Sequence, residues 1–212
     1  MGLLFCDSGI VDRILLMDLG NGKGLVVVAH PDDETIWMGG TILNFPNVRW
    51  TIFSLCRAND KDRVPKFKKV CRFLGARGVI SDLDDEEVLD LRESLPEIRK
   101  RLRRELRARR FDYVFTHGYN GEYGHPRHKG VNRVVKEMIR RGEIKTRALY
   151  NFSYEFDERK NLCRPKEADL CLKLSPALFR KKQKIINEIY GFGKRAFEYR
   201  ILMKMETFKV VK

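Results

Sequence analysis

The chain has only four histidines, and they fall in two places. His30 opens the string His30-Pro31-Asp32-Asp33-Glu34. His117, His125 and His128 crowd into one polar, glycine-rich stretch, Thr116-His117-Gly118-Tyr119-Asn120-Gly121-Glu122-Tyr123-Gly124-His125-Pro126-Arg127-His128. A chain using histidine for packing or for surface would scatter it. Imidazoles gathered beside carboxylates match the donor set of a catalytic zinc, which takes three protein ligands and keeps one position for water. His30 and Asp33 are separated by a short bend and can reach one ion, and His128 can supply a third ligand from the second stretch. Asp32 then stands beside the ion, aimed elsewhere, where a carboxylate can act as general base. Bound zinc brings the pKa of its water to about 7, so Asp32 could take a proton during attack on an amide and return it to the leaving amine. His125 could donate a hydrogen bond to the oxyanion of the tetrahedral intermediate. Either string alone also suits a capped helix start or a plain glycine turn. Together, holding every histidine, they favour a metal site.

Such groups must be presented by strands and helices. Leu25-Val26-Val27-Val28-Ala29 is a β-branched run entered from a turn over 20–24, and it reads as a buried parallel strand. Pro31 ends it, and a helix over 35–43 follows with acidic residues at its start. Further strands are expected over 49–55, 78–81, 111–115 and 148–152. Helices are expected over 63–74, ended by Gly75, from Leu91 with its leucine stripe, over 131–139, and over 176–190 behind a Ser175 N-cap. Strands alternating with helices indicate an α/β fold with a mostly parallel sheet, and no linker divides the chain, so one domain over 1–212 is expected. Both histidine strings then sit at strand-to-helix junctions, where open α/β sheets bind ligands.

The two strings resemble the signatures of the PIG-L/LmbE-like deacetylases. Ala29-His30-Pro31-Asp32-Asp33-Glu34 is similar to the family's first motif, and His125-Pro126-Arg127-His128 to its second, with element order agreeing over about 24–140. The resemblance implies a Rossmann-like three-layer fold and zinc-dependent removal of acetyl from an N-acetylglucosamine-type group. It implies His30, Asp33 and His128 as zinc ligands, Asp32 as base, His125 as oxyanion stabiliser and Tyr123 as a mobile active-site contact. It also implies a substrate-binding arginine, best matched by Arg63 with Arg57 as fallback, and a sugar-binding aspartate, assigned to Asp85 with Asp82 and Asp84 nearby. Two residues depart from the pattern. Arg127 stands where aspartate is common, which disfavours a protonated His125, and Lys66 stands where an acid is common.

Charged residues make up 34% of the chain and the net charge is +14, which suits anionic partners: nucleic acid, an acidic membrane face or a phosphorylated substrate. The basic stretch from Arg99 to Arg110 lacks interleaved aromatics, which argues for a solvated helix face rather than nucleic-acid binding. An N-acetylated sugar or glycoconjugate, with a phosphate-bearing one mildly favoured, is the expected partner. An anion-binding α/β module and a catalytically weak scaffold are the alternatives. Cys6, Cys56, Cys71, Cys163 and Cys171 form no close pair, which fits a reducing cytoplasm, and no uncharged run is long enough to span a membrane. A peripheral membrane contact stays open. His117 is expected to make a loop hydrogen bond, with a place behind the metal ligands as the alternative. Trp37 and Met38 are expected to pack behind the first motif, and Phe192 and Phe197 to pack in the core, with a sugar pocket or a subunit contact as alternatives.

Overall fold

The computed structural model describes residues 15–86, 88–106 and 108–211, so Cys6 and Arg107 lie outside the described residues. Five parallel strands carry the architecture: β2 (Gly22–Val28), β3 (Val48–Cys56), β4 (Arg77–Leu83), β5 (Tyr113–Thr116) and β6 (Ala148–Phe152), with β1 (Leu15–Leu16) preceding them. The helices between them are α1 (Asp33–Asn44), α2 (Arg63–Phe73), α3 (Leu91–Glu105) and α4 (Pro126–Arg140). After β6 come β7 (Tyr154–Asp157), β8 (Leu162–Pro165), β9 (Leu170–Lys173), α5 (Pro176–Lys184), a π-helical turn Ile185–Ile189, α6 (Phe197–Arg200) and β10 (Met205–Val211).

The main sheet runs β1-β9-β10-β6-β5-β2-β3-β4. β4-β3-β2-β5-β6 are parallel throughout, and β10 joins β6 and β9 antiparallel. Strand order therefore reverses at β2, leaving a crevice between the loops that follow β2 and β5, where doubly wound sheets place ligands.

The β2 run is buried on both faces, as a central strand between two helix layers must be. Val26 and Val28 pack with Ile36, Trp37 and Ile42 of α1 and Phe67 and Val70 of α2. Leu25 and Val27 pack with Ile98 and Leu102 of α3 and Val131, Val134 and Met138 of α4. Full burial of such side chains stabilises by about 1.5–3 kcal/mol each. The expected α/β sheet with a helix layer on each face is thus formed. β2 begins at Gly22, inside the stretch expected to be a turn, and the Trp50 ring covers Gly24, whose Cβ would lie 2.3 Å from it.

Three local departures shape the site. α4 starts at Pro126, ahead of the expected 131, because His125 accepts the Arg127 N–H as N-cap and Pro126 suits the first helical position. The late helix keeps its Ser175 cap but widens into the π-helical turn before Tyr190. α1 is broken at Met38 (φ −149°, ψ 18°). The break frees the N–H groups of Gly40 and Thr41, and the Glu206 carboxylate accepts both, at 2.9 and 2.6 Å. Lys182 Nζ donates to the same carboxylate at 2.6 Å, fully buried. Gly40 is needed there, since a Cβ would lie 2.3 Å from Leu174.

The basic stretch holds carboxylates. Arg99 reaches Glu137 of α4, and Arg99 and Arg103 reach Glu143 just beyond it, tying α3 to α4 beside buried Ile98 and Leu102, while Arg101 bonds Glu97 within α3. No helix among the described residues is long and apolar enough to cross a membrane.

Candidate metal centre

Every residue of the centre follows the C-terminal end of a parallel strand. His30, Asp32 and Asp33 follow β2; Arg57 and Arg63 follow β3; Asp85 follows β4; His117, Glu122, Tyr123, His125 and His128 follow β5. Three of them converge closely. His30 Nδ1 lies 3.3 Å from Asp33 Oδ2, His128 Nε2 lies 3.4 Å from the same oxygen, and the two nitrogens are 3.4 Å apart. A tetrahedral zinc with bonds of about 2.0–2.1 Å separates its ligand atoms by about 3.3–3.4 Å. The triangle therefore has the size of one face of that tetrahedron, and its nitrogen and oxygen donors are among those zinc takes. The residues fit the ion.

The other ring nitrogens fix which lone pairs face the triangle. Burial lowers the His30 pKa, but Asp33 and Asp85 outweigh it and raise it to about 9 without an ion. Its Nε2 donates to Asp85 Oδ1 at 2.6 Å, so in the neutral ring that an ion takes the lone pair is on Nδ1. His128 Nδ1 donates to Glu122 Oε2 at 2.6 Å, which likewise leaves the lone pair on Nε2. Carboxylates behind ligating imidazoles set the tautomer and raise ligand basicity. Glu122 is fully buried and also accepts from His117 Nδ1 at 2.9 Å and from the Gly118 N–H at 2.6 Å. Burial favours its protonation, but the two imidazoles outweigh this and pull its pKa to about 2. Among the described residues, two further groupings of potential ligands share these side chains, His117–Glu122–His128 and His30–Asp85–His125. Neither is free to bind: His117 Nε2 accepts the Ala29 N–H at 3.0 Å, and Asp85 is held by His30 and by Arg57 at 2.6 Å.

Asp32 lies beside the triangle with φ 134°, a strained conformation for a non-glycine residue, of the kind that functional sites hold at a cost of about 1–3 kcal/mol. Its N–H is gripped by buried Glu34 at 3.0 Å, and Glu34 in turn accepts from Tyr190 OH at 2.9 Å. Burial and the Asp33 charge raise the Asp32 pKa well above the carboxylate range, against His30 and Arg63. Burial also raises Asp33, but His128 and His117 outweigh it and hold Asp33 ionised. His125 Nδ1 accepts the Arg127 N–H at 3.2 Å, so its proton sits on Nε2. Burial, with His128 and His30 nearby, lowers its pKa to about 3, and the N-terminus of α4 likewise disfavours a cation there.

The remaining expected residues fall as follows. Arg63 reaches Asp32 at 3.3 Å and lies 4.5 Å above the Phe192 ring. Tyr123 OH is 3.5 Å from His128 Nε2. Asp85, expected to meet sugar hydroxyls, has its two oxygens engaged by His30 and Arg57. The buried Arg127 side chain turns away from the histidines and clamps the loop before α3, donating to Asp84 O and Leu89 O at 2.8 Å and to Asp84 Oδ2 at 2.6 Å. Lys66 pairs with Asp62 at 2.7 Å. Phe197 packs against the core, as expected, and also lines the cavity over the centre. That cavity is about 300 Å³, and its walls include Asp32, Asp33, Arg57, Asp60, Arg63, Asp85, Tyr123 and Glu198. Glu122 and Asp85 as partners of the ligating imidazoles were not foreseen. The one signal for Glu122 was an acid set among the glycines of the histidine-rich stretch.

The model of the PIG-L family, described as GlcNAc-PI de-N-acetylase, matches residues 25–139. Among curated proteins, the chain is 26% identical over 135 residues to N-acetylglucosaminyl-phosphatidylinositol de-N-acetylase of Bos taurus, covering 59% of this chain and 53% of that protein. It is 25% identical over 149 residues to the uncharacterized protein L374 of Acanthamoeba polyphaga mimivirus, covering 62% and 61%. The chain thus spans only about half to three-fifths of the length of these relatives. Similar solved structures include N,N'-diacetylchitobiose deacetylase of Pyrococcus horikoshii, with TM-score 0.65, 16% identity and coverage of 89% and 83%. They also include GalB, the 4-carboxy-2-hydroxymuconate hydratase of Pseudomonas putida KT2440, with TM-score 0.64, 16% identity and coverage of 90% and 96%. One fold thus carries a deacetylase and a hydratase, and the structural likeness gives architecture rather than reaction. The family match spans both histidine-bearing loops up to the last turn of α4, and the chain belongs to the PIG-L family.

Proposed function

We propose that this protein is a zinc-dependent hydrolase that removes the acetyl group from an N-acetylated amino sugar. The observation that carries the reading is the triangle of His30 Nδ1, Asp33 Oδ2 and His128 Nε2, with sides of 3.3 to 3.4 Å, opening on the crevice at the strand reversal. Those three residues would hold the ion, which when bound acidifies water and polarises a carbonyl.

Asp32 takes the proton of the attacking water, and its raised pKa suits it to hold that proton at neutral pH. His125, neutral with its proton on Nε2, donates to the oxyanion as the amide carbonyl becomes tetrahedral. Asp32 then passes its proton to the departing amine as the C–N bond breaks, and acetate is left behind. Arg63 keeps the Asp32 carboxylate aimed, and Tyr123 closes the side of the site against His128.

An N-acetylglucosamine-type unit is supported by the family and by the names of the bovine and Pyrococcus proteins. The cavity wall carries five carboxylates, Asp32, Asp33, Asp60, Asp85 and Glu198, against two guanidiniums, Arg57 and Arg63. Both guanidiniums already hold carboxylates. With both paired, the wall leaves no guanidinium free for an anion beside the reacting acetamide.

The test is acetate release from a panel of N-acetylated sugars and glycoconjugates, with zinc measured on the same preparation. One zinc per chain, lost in His30→Ala, together with acetate release lost in Asp32→Asn, is the expected result. A parent protein that takes up no zinc would overturn the reading.

A further inference from the structure

Asp33 has two carboxylate oxygens, and only one of them faces the ligand triangle. Oδ2 lies against His30 Nδ1 and His128 Nε2 and accepts the His30 N–H at 2.8 Å. Oδ1 accepts the indole N–H of Trp37 at 3.0 Å. Trp37 is fully buried, and a buried indole N–H requires an acceptor. We propose that Trp37 is a positioning residue for the metal centre: its N–H holds Oδ1 back, so that Asp33 binds the ion through one oxygen and leaves the site four-coordinate.

The local fold is arranged to place that N–H. Trp37 lies one helical turn after Asp33, on the same side of α1. Helical geometry fails at the next residue, Met38, so the indole is carried by a single turn rather than by a long helix. Glu206, braced by Lys182, caps the N–H groups released by the break. Tyr154 packs on the indole, with ring centroids 5.0 Å apart, and its OH donates to Trp37 O. With the indole N–H gone, no other hydrogen bond to Oδ1 remains among the described residues. The carboxylate can then pivot about Oδ2, still held by the His30 N–H, to present both oxygens, which is one ligand more than a tetrahedral zinc takes.

The inference rests on the metal-site reading of the preceding section, and its test separates the two. Zn2+ affinity is measured by chelator competition, and the visible spectrum is recorded with Co2+ as probe, for the parent, Trp37→Phe and Tyr154→Phe. Trp37→Phe keeps an aromatic ring but no N–H, whereas Tyr154→Phe disturbs the same packing with the indole N–H in place. The expected result is a 10–100-fold loss of Zn2+ affinity in Trp37→Phe, with weaker Co2+ absorption as the coordination number rises. Tyr154→Phe should stay within about threefold of the parent, well short of that loss. Unchanged affinity in Trp37→Phe, weaker affinity with an unchanged Co2+ spectrum, or an equal loss in Tyr154→Phe would each overturn the proposal. A parent protein that binds no Zn2+ fails the metal-site reading itself.

Discussion

Replacing Glu122 by glutamine should weaken metal binding and the fold together, although Glu122 is not itself a ligand. Oε2 accepts Nδ1–H from both His117 and His128, and Oε1 accepts the Gly118 N–H. A carboxamide cannot meet all three donors. With its oxygen toward the imidazoles, its NH2 opposes the Gly118 N–H. With its NH2 toward the imidazoles, His128 must move its proton to Nε2, the nitrogen of the ligand triangle. Each buried donor left without an acceptor costs about 1–3 kcal/mol, so Glu122→Gln should lose about 2–4 kcal/mol of stability. Loss of such a partner lowers metal affinity about 10–100-fold. The assays are urea unfolding with chelator present and Zn2+ competition titration. The pH dependence has a definite sign. The Glu122 pKa falls from 4.5 unfolded to about 2 folded, so its stabilisation is full above pH 4.5 and fades as pH drops toward 2. The gap between parent and variant should close over that window. A variant with parental Zn2+ affinity, or a gap that persists at pH 2, would refute the reasoning.

Three other outcomes are expected. Asp32 must be ionised to act, and the Arg63 charge is one of the influences lowering its raised pKa, so Arg63→Ala should shift the acid limb of kcat/KM to higher pH; an unmoved limb would remove Arg63 from this role. Arg127→Asp restores the residue common in the family's second motif, yet should destabilise by about 2–4 kcal/mol in urea, because Asp84 O and Leu89 O lose their buried donors. Equal or greater stability would show that the clamp is dispensable. Lys182→Met should cost about 3–5 kcal/mol by stranding the buried Glu206 charge, and adding Glu206→Gln should recover part of it. A double variant no better than the single would argue against the pair as the cause.

The five parallel strands were legible as short apolar runs alternating with helical stretches, and Pro31 and Gly118 marked the stops after β2 and β5. His30, Asp33 and His128 were legible because so few histidines lie so close to carboxylates. What the sequence hid depended on partners distant in the chain. Asp85 reads as one of several acids after β4, and only the fold places it on His30. Trp37 reads as a core aromatic, which it is; that its N–H meets Asp33 follows from the turn of α1. Arg127 reads as a charge beside His125, but its side chain leaves toward Asp84 while its backbone N–H caps the imidazole. The strands after β6 were missed because β7, β8 and β9 have only four residues each, and the apolar run of β10 is interrupted by Glu206 and Lys209. Phe197 packs against the core and also lines the cavity, and an aromatic run gives no sign of which ring does both.

The strand reversal has one more consequence. His30 and His128 are 98 positions apart, one on the loop after β2 and the other on the first turn of α4, which the sheet holds together. An ion gripped by both would act as a removable crosslink, closing a long loop much as a disulfide does, and its binding energy would add to that of folding. Melting temperature should then climb with the logarithm of free Zn2+ above its Kd. Heat resistance would thus serve as a gauge of site occupancy that needs no substrate.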